Sequence, residues 1–161
     1  MANEHLATYL NDHLAGSVVA LELLEHLEAE HANTPEADFF SKLRADIAAD
    51  RQELESLMDR LQIAESRTRK ASAWLAEKAT ALKLRLDDPS EGDLRLFESL
   101  EALSLGIEGK RSLWLALSTA AKDTPALRVV NYERLTKRAE EQRSRVEAMR
   151  LETARTALVV N

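Results

Sequence analysis

No cysteine occurs in the 161 residues. That absence removes disulfide staples, zinc ribbons, thiolate-held iron-sulfur centres and thiol nucleophiles together, and it fits a reducing compartment. Four Gly and three Pro are too few for the turns of an all-β chain. They leave neither a Gly-rich phosphate loop nor a Gly-x-Ser-x-Gly elbow for acyl transfer. No uncharged apolar run approaches the roughly 18 residues of a membrane span. The opening stretch, MANEHLATYLNDH, lacks the basic start and apolar centre of a signal peptide, so the expected location is the cytoplasm. Lys and Arg are missing from residues 1–36, which instead hold seven acids (Glu4, Asp12, Glu22, Glu25, Glu28, Glu30 and Glu36). The net charge of −6 therefore belongs to the first segment, and the rest of the chain is close to neutral. An acidic balance of this kind argues against a nucleic-acid partner.

What the chain does have is Leu and Ala in quantity, with 45% hydrophobic and 31% charged residues overall. That composition is apolar enough for a folded core, and Leu and Ala are the best apolar helix formers. Proline punctuates it: Thr34-Pro35 and Thr124-Pro125 each place a hydroxyl before a first-turn Pro, and Ser90 with Asp93 resembles a capping box. Between these marks apolar residues recur with helical spacing. The stripe over 4–31 is Leu6, Leu10, His13, Ser17, Ala20, Leu24 and Leu27. Over 36–62 it is Phe40, Leu43, Ile47, Asp50, Leu54, Leu57 and Leu61. Over 93–122 it is Phe97, Leu100, Ser104, Ile107, Arg111, Trp114 and Ser118, widened by Leu96, Leu103 and Leu117. Over 126–157 it is Val129, Tyr132, Leu135, Ala139, Gln142, Val146, Met149 and Thr153. Four helices of similar length, roughly 40 Å each at 1.5 Å per residue, are expected.

A fifth helix is expected over 71–87, where Ala71, Leu75, Ala79, Leu82 and Leu86 keep the period, after a polar interruption from Glu65 through Lys70. A single rod from 36 to 88 would overhang its neighbours, so the chain is expected to bend there and return along the bundle. The topology is then hairpin, long crossover, hairpin, in one domain spanning 1–161. An internal repeat agrees with it: a shift of 90 places Leu10 on Leu100 and Leu24 on Trp114, and a shift of 92 places Asp50 on Gln142.

An all-α bundle of two antiparallel helical hairpins joined by a long helical crossover resembles the ferritin-like superfamily. Redox-active members of that superfamily hold two metal ions mid-bundle with a Glu from each of two helices and a Glu-x-x-His motif from each of the others. The corresponding layer here is expected to contain His13, Ser17, Asp50, Ser104, Arg111 and Gln142, with Glu53 and Glu108 at its margin. Asp50-x-x-Glu53 and Gln142-x-x-Arg145 stand where the Glu-x-x-His motifs belong, all four His lie in the first helix, and Arg111 would repel cations. The reading is therefore no metal, no cofactor and no catalytic residue. Were a metal site present, His13, Asp50, Glu53 and Glu108 would be its ligands. Otherwise His13 and Asp50 are expected to form a buried hydrogen-bonded pair.

Other features have ordinary readings. Glu22, His26 and Glu30 form a solvated acidic face. His26 and His31 are five apart where a zinc protease needs four. Arg67, Arg69 and Lys70 followed by Trp74 belong to the crossover, and the charges after 131 form a salt-laced outer face with pairs such as Glu133 and Lys137. The stretches Leu14–Leu24 and Leu113–Leu117 are apolar nearly all round, more than one buried stripe requires. That surplus must meet either the crossover helix or a second copy of the chain; a homodimer is the preferred expectation, and a protein partner could meet the acidic first helix. The function read from the sequence is a non-catalytic helical protein acting by protein–protein interaction or as a structural module. Two alternatives are a metal-dependent oxidase or iron handler with an atypical mid-bundle site, and a carrier of an apolar small molecule in the core.

Overall fold

The computed structural model describes residues 4–66, 77 and 92–160. Among these the chain forms four long α-helices, α1 (Glu4–Glu30), α2 (Glu36–Arg60), α3 (Gly92–Ala120) and α4 (Tyr132–Ala157), with a 3₁₀ turn at Pro125–Leu127. The fold is all-α, and none of the described helices is long and apolar enough to cross a membrane. The helix expected over 71–87, with the basic residues Arg67, Arg69 and Lys70 and the ring of Trp74, lies outside the described residues.

Each helix ends for a local reason. After α1, Asn33 takes a left-handed backbone (φ 70), and the Thr34 hydroxyl turns back to donate to the His31 carbonyl at 2.7 Å. Thr34 therefore does not cap α2, which begins directly after Pro35. α2 stops where the sequence predicts. Gln62 is left-handed (φ 56), Ile63 N–H donates to the Met58 carbonyl at 2.9 Å and Gln62 N–H to that of Asp59 at 3.0 Å. These two bonds form a Schellman motif, which satisfies the last carbonyls and buries Ile63. Asn11 secures the exit by donating to the Ala64 carbonyl at 3.2 Å and accepting from Ser66 N–H at 2.7 Å.

The second Thr-Pro corner departs from expectation. Pro125 starts only the 3₁₀ turn, and Thr124 makes no side-chain cap. The Arg128 guanidinium instead holds the end of α3 by donating to the Ala121 and Lys122 carbonyls at 2.8 and 2.6 Å. The Tyr132 hydroxyl donates to the Leu127 carbonyl at 2.7 Å. The next helix begins at Tyr132, capped by Asn131, whose Oδ1 accepts from Arg134 N–H at 3.0 Å. Asn is among the best N-caps, and here it outcompetes a Thr-Pro pair that lies seven residues upstream.

α1 packs along α2, α3 along α4, and α1 touches α3. α2 and α4 are joined mainly through side chains: Asp46 with Arg145 at 2.7 Å, Asp50 with Arg138 at 2.7 Å, and Glu53 with Arg134 at 2.6 Å. The buried side chains fall into two apolar clusters. One gathers Leu10, Leu14, Leu54, Leu57, Trp114, Leu117 and Leu135. The other gathers Leu24, Leu27, Phe40, Leu43, Leu103, Ile107 and Val146. Each fully buried leucine contributes about 1.5–3 kcal/mol, so both clusters hold all four helices together. On α2 and α3 they are separated by polar residues, Asp50 between Ile47 and Leu54 and Lys110 between Ile107 and Leu113.

Candidate functional site: the charged layer of the core

Asp50 is 2% exposed and Gln142 fully buried. Both continue the inward spacing of their helices, Phe40, Leu43, Ile47, Asp50, Leu54, Leu57 in α2 and Leu135, Ala139, Gln142, Val146 in α4. This is the three-four alternation of a bundle seam. α3 supplies the third member through the same alternation, Leu100, Leu103, Ile107, Lys110, Trp114, Leu117 and Ala121. The Lys110 ammonium lies between Asp50 Oδ2 and Gln142 Oε1 and donates to both. Gln142 Nε2 donates to Asp50 Oδ2 at 2.8 Å, and Arg138 Nε donates to Asp50 Oδ1 at 2.7 Å. One carboxylate, itself buried, thus faces two cations that are each partly open to solvent, Lys110 at 16% and Arg138 at 28% exposure.

Burial holds the Lys110 amine below its ordinary 10.5, an effect opposed by the charge and hydrogen bond of Asp50 and reinforced by the charge of Arg138. An isolated buried ammonium is costly. Paired with a carboxylate and hydrogen-bonded to an amide, it is tolerated and fixes which residues must face one another.

The structure corrects the expected layer at Arg111, His13 and Ser17. Arg111 does not enter it: its side chain is partly exposed and engages Glu140 at 2.9 Å and Glu108 at 3.3 Å on the α4 side of α3. The inward charge is Lys110, one position earlier. Two stripes on α3 share Leu100, Ile107 and Trp114 and differ in the intervening member, Ser104, Arg111, Ser118 against Leu103, Lys110, Leu117. The two leucines of the second set carried the signal, because the apolar face had to contain them.

His13 is the second correction. Its ring sits edge-on to Tyr9 at 4.7 Å, and burial lowers its pKa from 6.5 against the opposing charge of Asp12. Among the described residues no hydrogen bond or ion pair joins His13 to Asp50. The remaining candidates are dispersed as well: Glu53 pairs with Arg134 and Glu108 with Arg111 and Arg143. None of the four is bonded to another among the described residues, and no group of three or more His, Cys, Asp or Glu there is placed to hold a metal ion. Ser17 also turns away from the layer, donating to the Leu14 carbonyl at 2.6 Å and accepting from Arg51 at 2.9 Å. Ser104 is buried and hydrogen-bonds Glu147, which with Arg150 brings that carboxyl down to about 2.

The acids of the first segment are only partly free to face solvent. Glu28 pairs with Arg44 at 2.7 Å, and Glu30 takes Arg95 and lies 3.8 Å from His26. The ion pairs of α4 differ from those read from the sequence: Arg134, Arg138 and Arg145 reach α2 and Arg143 reaches α3, Arg150 and Arg155 pair within α4, and among the described residues no ion pair joins Glu133 to Lys137. Among the described residues, fold and layer together define an all-α arrangement of four helices with a charged amide-lysine-carboxylate layer in its core. Comparison of the chain with family models, with curated proteins and with solved structures finds no match.

Proposed function

We propose that the protein is a non-catalytic helical bundle, two antiparallel hairpins in a ferritin-like arrangement, acting as a structural or protein-interaction module. The observation that carries this reading is Lys110. In a metal-binding bundle the mid-core carboxylates bind divalent cations. Here a tethered ammonium occupies the equivalent place beside Asp50 and Gln142, with the Arg138 guanidinium on the other carboxylate oxygen. Two fixed cations already exceed the single carboxylate charge, so a divalent ion would enter against net positive charge.

The hairpin arrangement draws support from the order of contacts. Along α1 and α2, Glu28 meets Arg44, Ser17 meets Arg51 and Asn11 meets Ala64. Along α3 and α4, Glu101 meets Arg150, Glu108 meets Arg143 and Arg111 meets Glu140. The chain leaves α2 beside Asn11 and enters α3 with Arg95 beside Glu30. These points lie about 28 Å apart along α1 at 1.5 Å per residue, which a full-length crossover would span. The equivalence of Asp50 and Gln142 in the internal repeat adds a pseudo-twofold relation between the halves. A role among proteins of the cytoplasm, as a homodimer, completes the reading.

The test is metal titration by calorimetry with iron(II) and manganese(II), on the wild type and on Lys110→Ala. Absence of binding by the wild type is the expected result. Near-stoichiometric binding abolished by Asp50→Ala would overturn the reading in favour of a metal-dependent enzyme.

A further inference from the structure

An amine, a side-chain amide and a carboxylate meet in the core layer. The Lys110 amine donates to Gln142 Oε1 and to Asp50 Oδ2, and Gln142 Nε2 donates to the same Asp50 oxygen at 2.8 Å. The carbonyl carbon of Gln142 is therefore one bond beyond the atom that the amine touches, and one carboxylate oxygen serves both nitrogens. Gln142 and Asp50 are buried, so the amide faces the amine rather than bulk water. Apolar residues flank the layer along each helix: Ile47 and Leu54 on α2, Ile107 and Leu113 on α3, Ala139 and Val146 on α4. A nucleophile, an acyl carbon and a proton carrier held in contact are the parts that an acyl transfer needs.

We propose that this layer is the site of an intramolecular isopeptide bond, formed by attack of the Lys110 amine on the side-chain amide of Gln142 with Asp50 carrying the protons. Lys110 starts as an ammonium and passes one proton to Asp50 Oδ2. The lone pair so freed forms the Nζ–Cδ bond while the carbonyl π pair moves to Oε1. Asp50 hands its proton to Nε2, the carbonyl re-forms, and the Cδ–Nε2 bond breaks with its electron pair on the departing nitrogen. A second proton from Nζ follows the same route. One ammonium ion leaves, a neutral amide joins the two side chains, and the Asp50 carboxylate is regenerated. Gln142 is the acceptor because its amide is neutral, whereas a carboxylate flanked by the Arg138 guanidinium is a poor electrophile. Burial holds the amine below its ordinary value, which raises the share of its reactive neutral form. The paired ammonium is the resting state, so linkage is slow and a freshly prepared chain is unlinked. The reaction runs once, on the chain itself, and ties α3 to α4 in a protein that has no cysteine for a disulfide.

Intact mass spectrometry of the folded full chain, aged for several days in mildly alkaline buffer, is expected to show a species lighter by one ammonia. Trypsin cuts after Arg128, inside the loop that the bond closes, so the peptides carrying Lys110 and Gln142 should be recovered as one branched species. Lys110→Arg and Gln142→Met should keep their full mass. Asp50→Asn, checked for folding by circular dichroism, should form the product at least tenfold more slowly. Wild type held unfolded in guanidinium chloride and aged alike provides a second control, and it should keep its full mass because the three groups no longer meet. Full mass in the aged folded wild type, ammonia loss located at an asparagine, loss of water with Lys110 joined to Asp50, an undiminished rate in folded Asp50→Asn, or equal product from the unfolded chain would each overturn the proposal.

Discussion

Asp50 and Gln142 stand 92 positions apart in the chain and hydrogen-bond across the centre of the core, Gln142 Nε2 to Asp50 Oδ2 at 2.8 Å. The bond joins α2 to α4, and Lys110 from α3 closes it by donating to both partners. A layer that takes one member from each of three helices is satisfied in one register only. A shift by one turn of any of the three would bury a charge or an amide without a partner.

Removing members of this layer is therefore unequal in effect. Asp50→Leu leaves the cations of Lys110 and Arg138 without their carboxylate and is expected to destabilise by about 3–5 kcal/mol, the usual range for breaking a buried ion pair from one side. Lys110→Met keeps Asp50 paired with Arg138 and Gln142, so its loss is smaller. The double variant should recover much of the single Asp50→Leu loss. Urea unfolding of the three variants measures this, and simple additivity would show that the residues are not coupled.

The helices and two members of the layer were legible because α2 and α4 each carry one apolar stripe on an otherwise polar helix. Asp50 and Gln142 interrupt those stripes at inward positions and nowhere else was available to them. α3 was misread for the opposite reason: leucines lie on several of its faces, two stripes competed, and a lysine in the core ran against the ordinary exposure of its type. The proposed His13 and Asp50 contact failed because period places a residue on a face without saying what crosses from the opposite helix. Lys110 is long enough to reach Asp50 from α3, while the His13 ring packs against Tyr9 on its own helix. The start of α4 was missed because both Thr124-Pro125 and Asn131 are good openings, and the Arg128 clasp on α3 decides between them only in three dimensions.

The depressed amine gives Lys110 a signature in alkaline solution. Its folded pKa lies below the unfolded 10.5, so the unfolded chain binds more protons over the interval between the two values. Below that interval the amine is charged in both states and the burial penalty is felt in full. As pH rises through the folded value toward 10.5 the penalty is relieved. The stability of the wild type relative to Lys110→Met should therefore increase with pH up to 10.5 and then level off. Chemical denaturation of both proteins at several alkaline pH values tests the sign, and a difference that falls with pH would contradict it.

Glu147 sets a contribution at the acid end. Hydrogen bonds from Arg150 and Ser104 hold its carboxyl at about 2 against an ordinary 4.5. A carboxyl depressed in this way stabilises the fold above 4.5, and the contribution disappears as pH falls toward 2. Arg150→Gln should raise the Glu147 pKa and flatten that limb of the pH–stability curve. Arg150 also stacks over Phe97 at 5.5 Å, so the variant loses a constant amount at every pH as well. The diagnostic is the difference in slope between pH 5 and pH 2 in a series of thermal melts, with unchanged slopes counting against the assignment.

The two candidate starts of α4 can be separated by substitution. Asn131 Oδ1 accepts from Arg134 N–H at 3.0 Å, satisfying one of the free donors of the first turn. Replacing an Asn cap by Ala typically loses about 1 kcal/mol. Thr124 makes no side-chain cap to the 3₁₀ turn that follows it, so Thr124→Ala should leave stability within about 0.5 kcal/mol of the wild type. Both are read from the midpoint of urea unfolding at constant slope. Equal losses, or a larger one at Thr124, would move the helix start back to the proline. They would also undo the view that the Arg128 and Tyr132 contacts, rather than the Thr-Pro pair, build this corner.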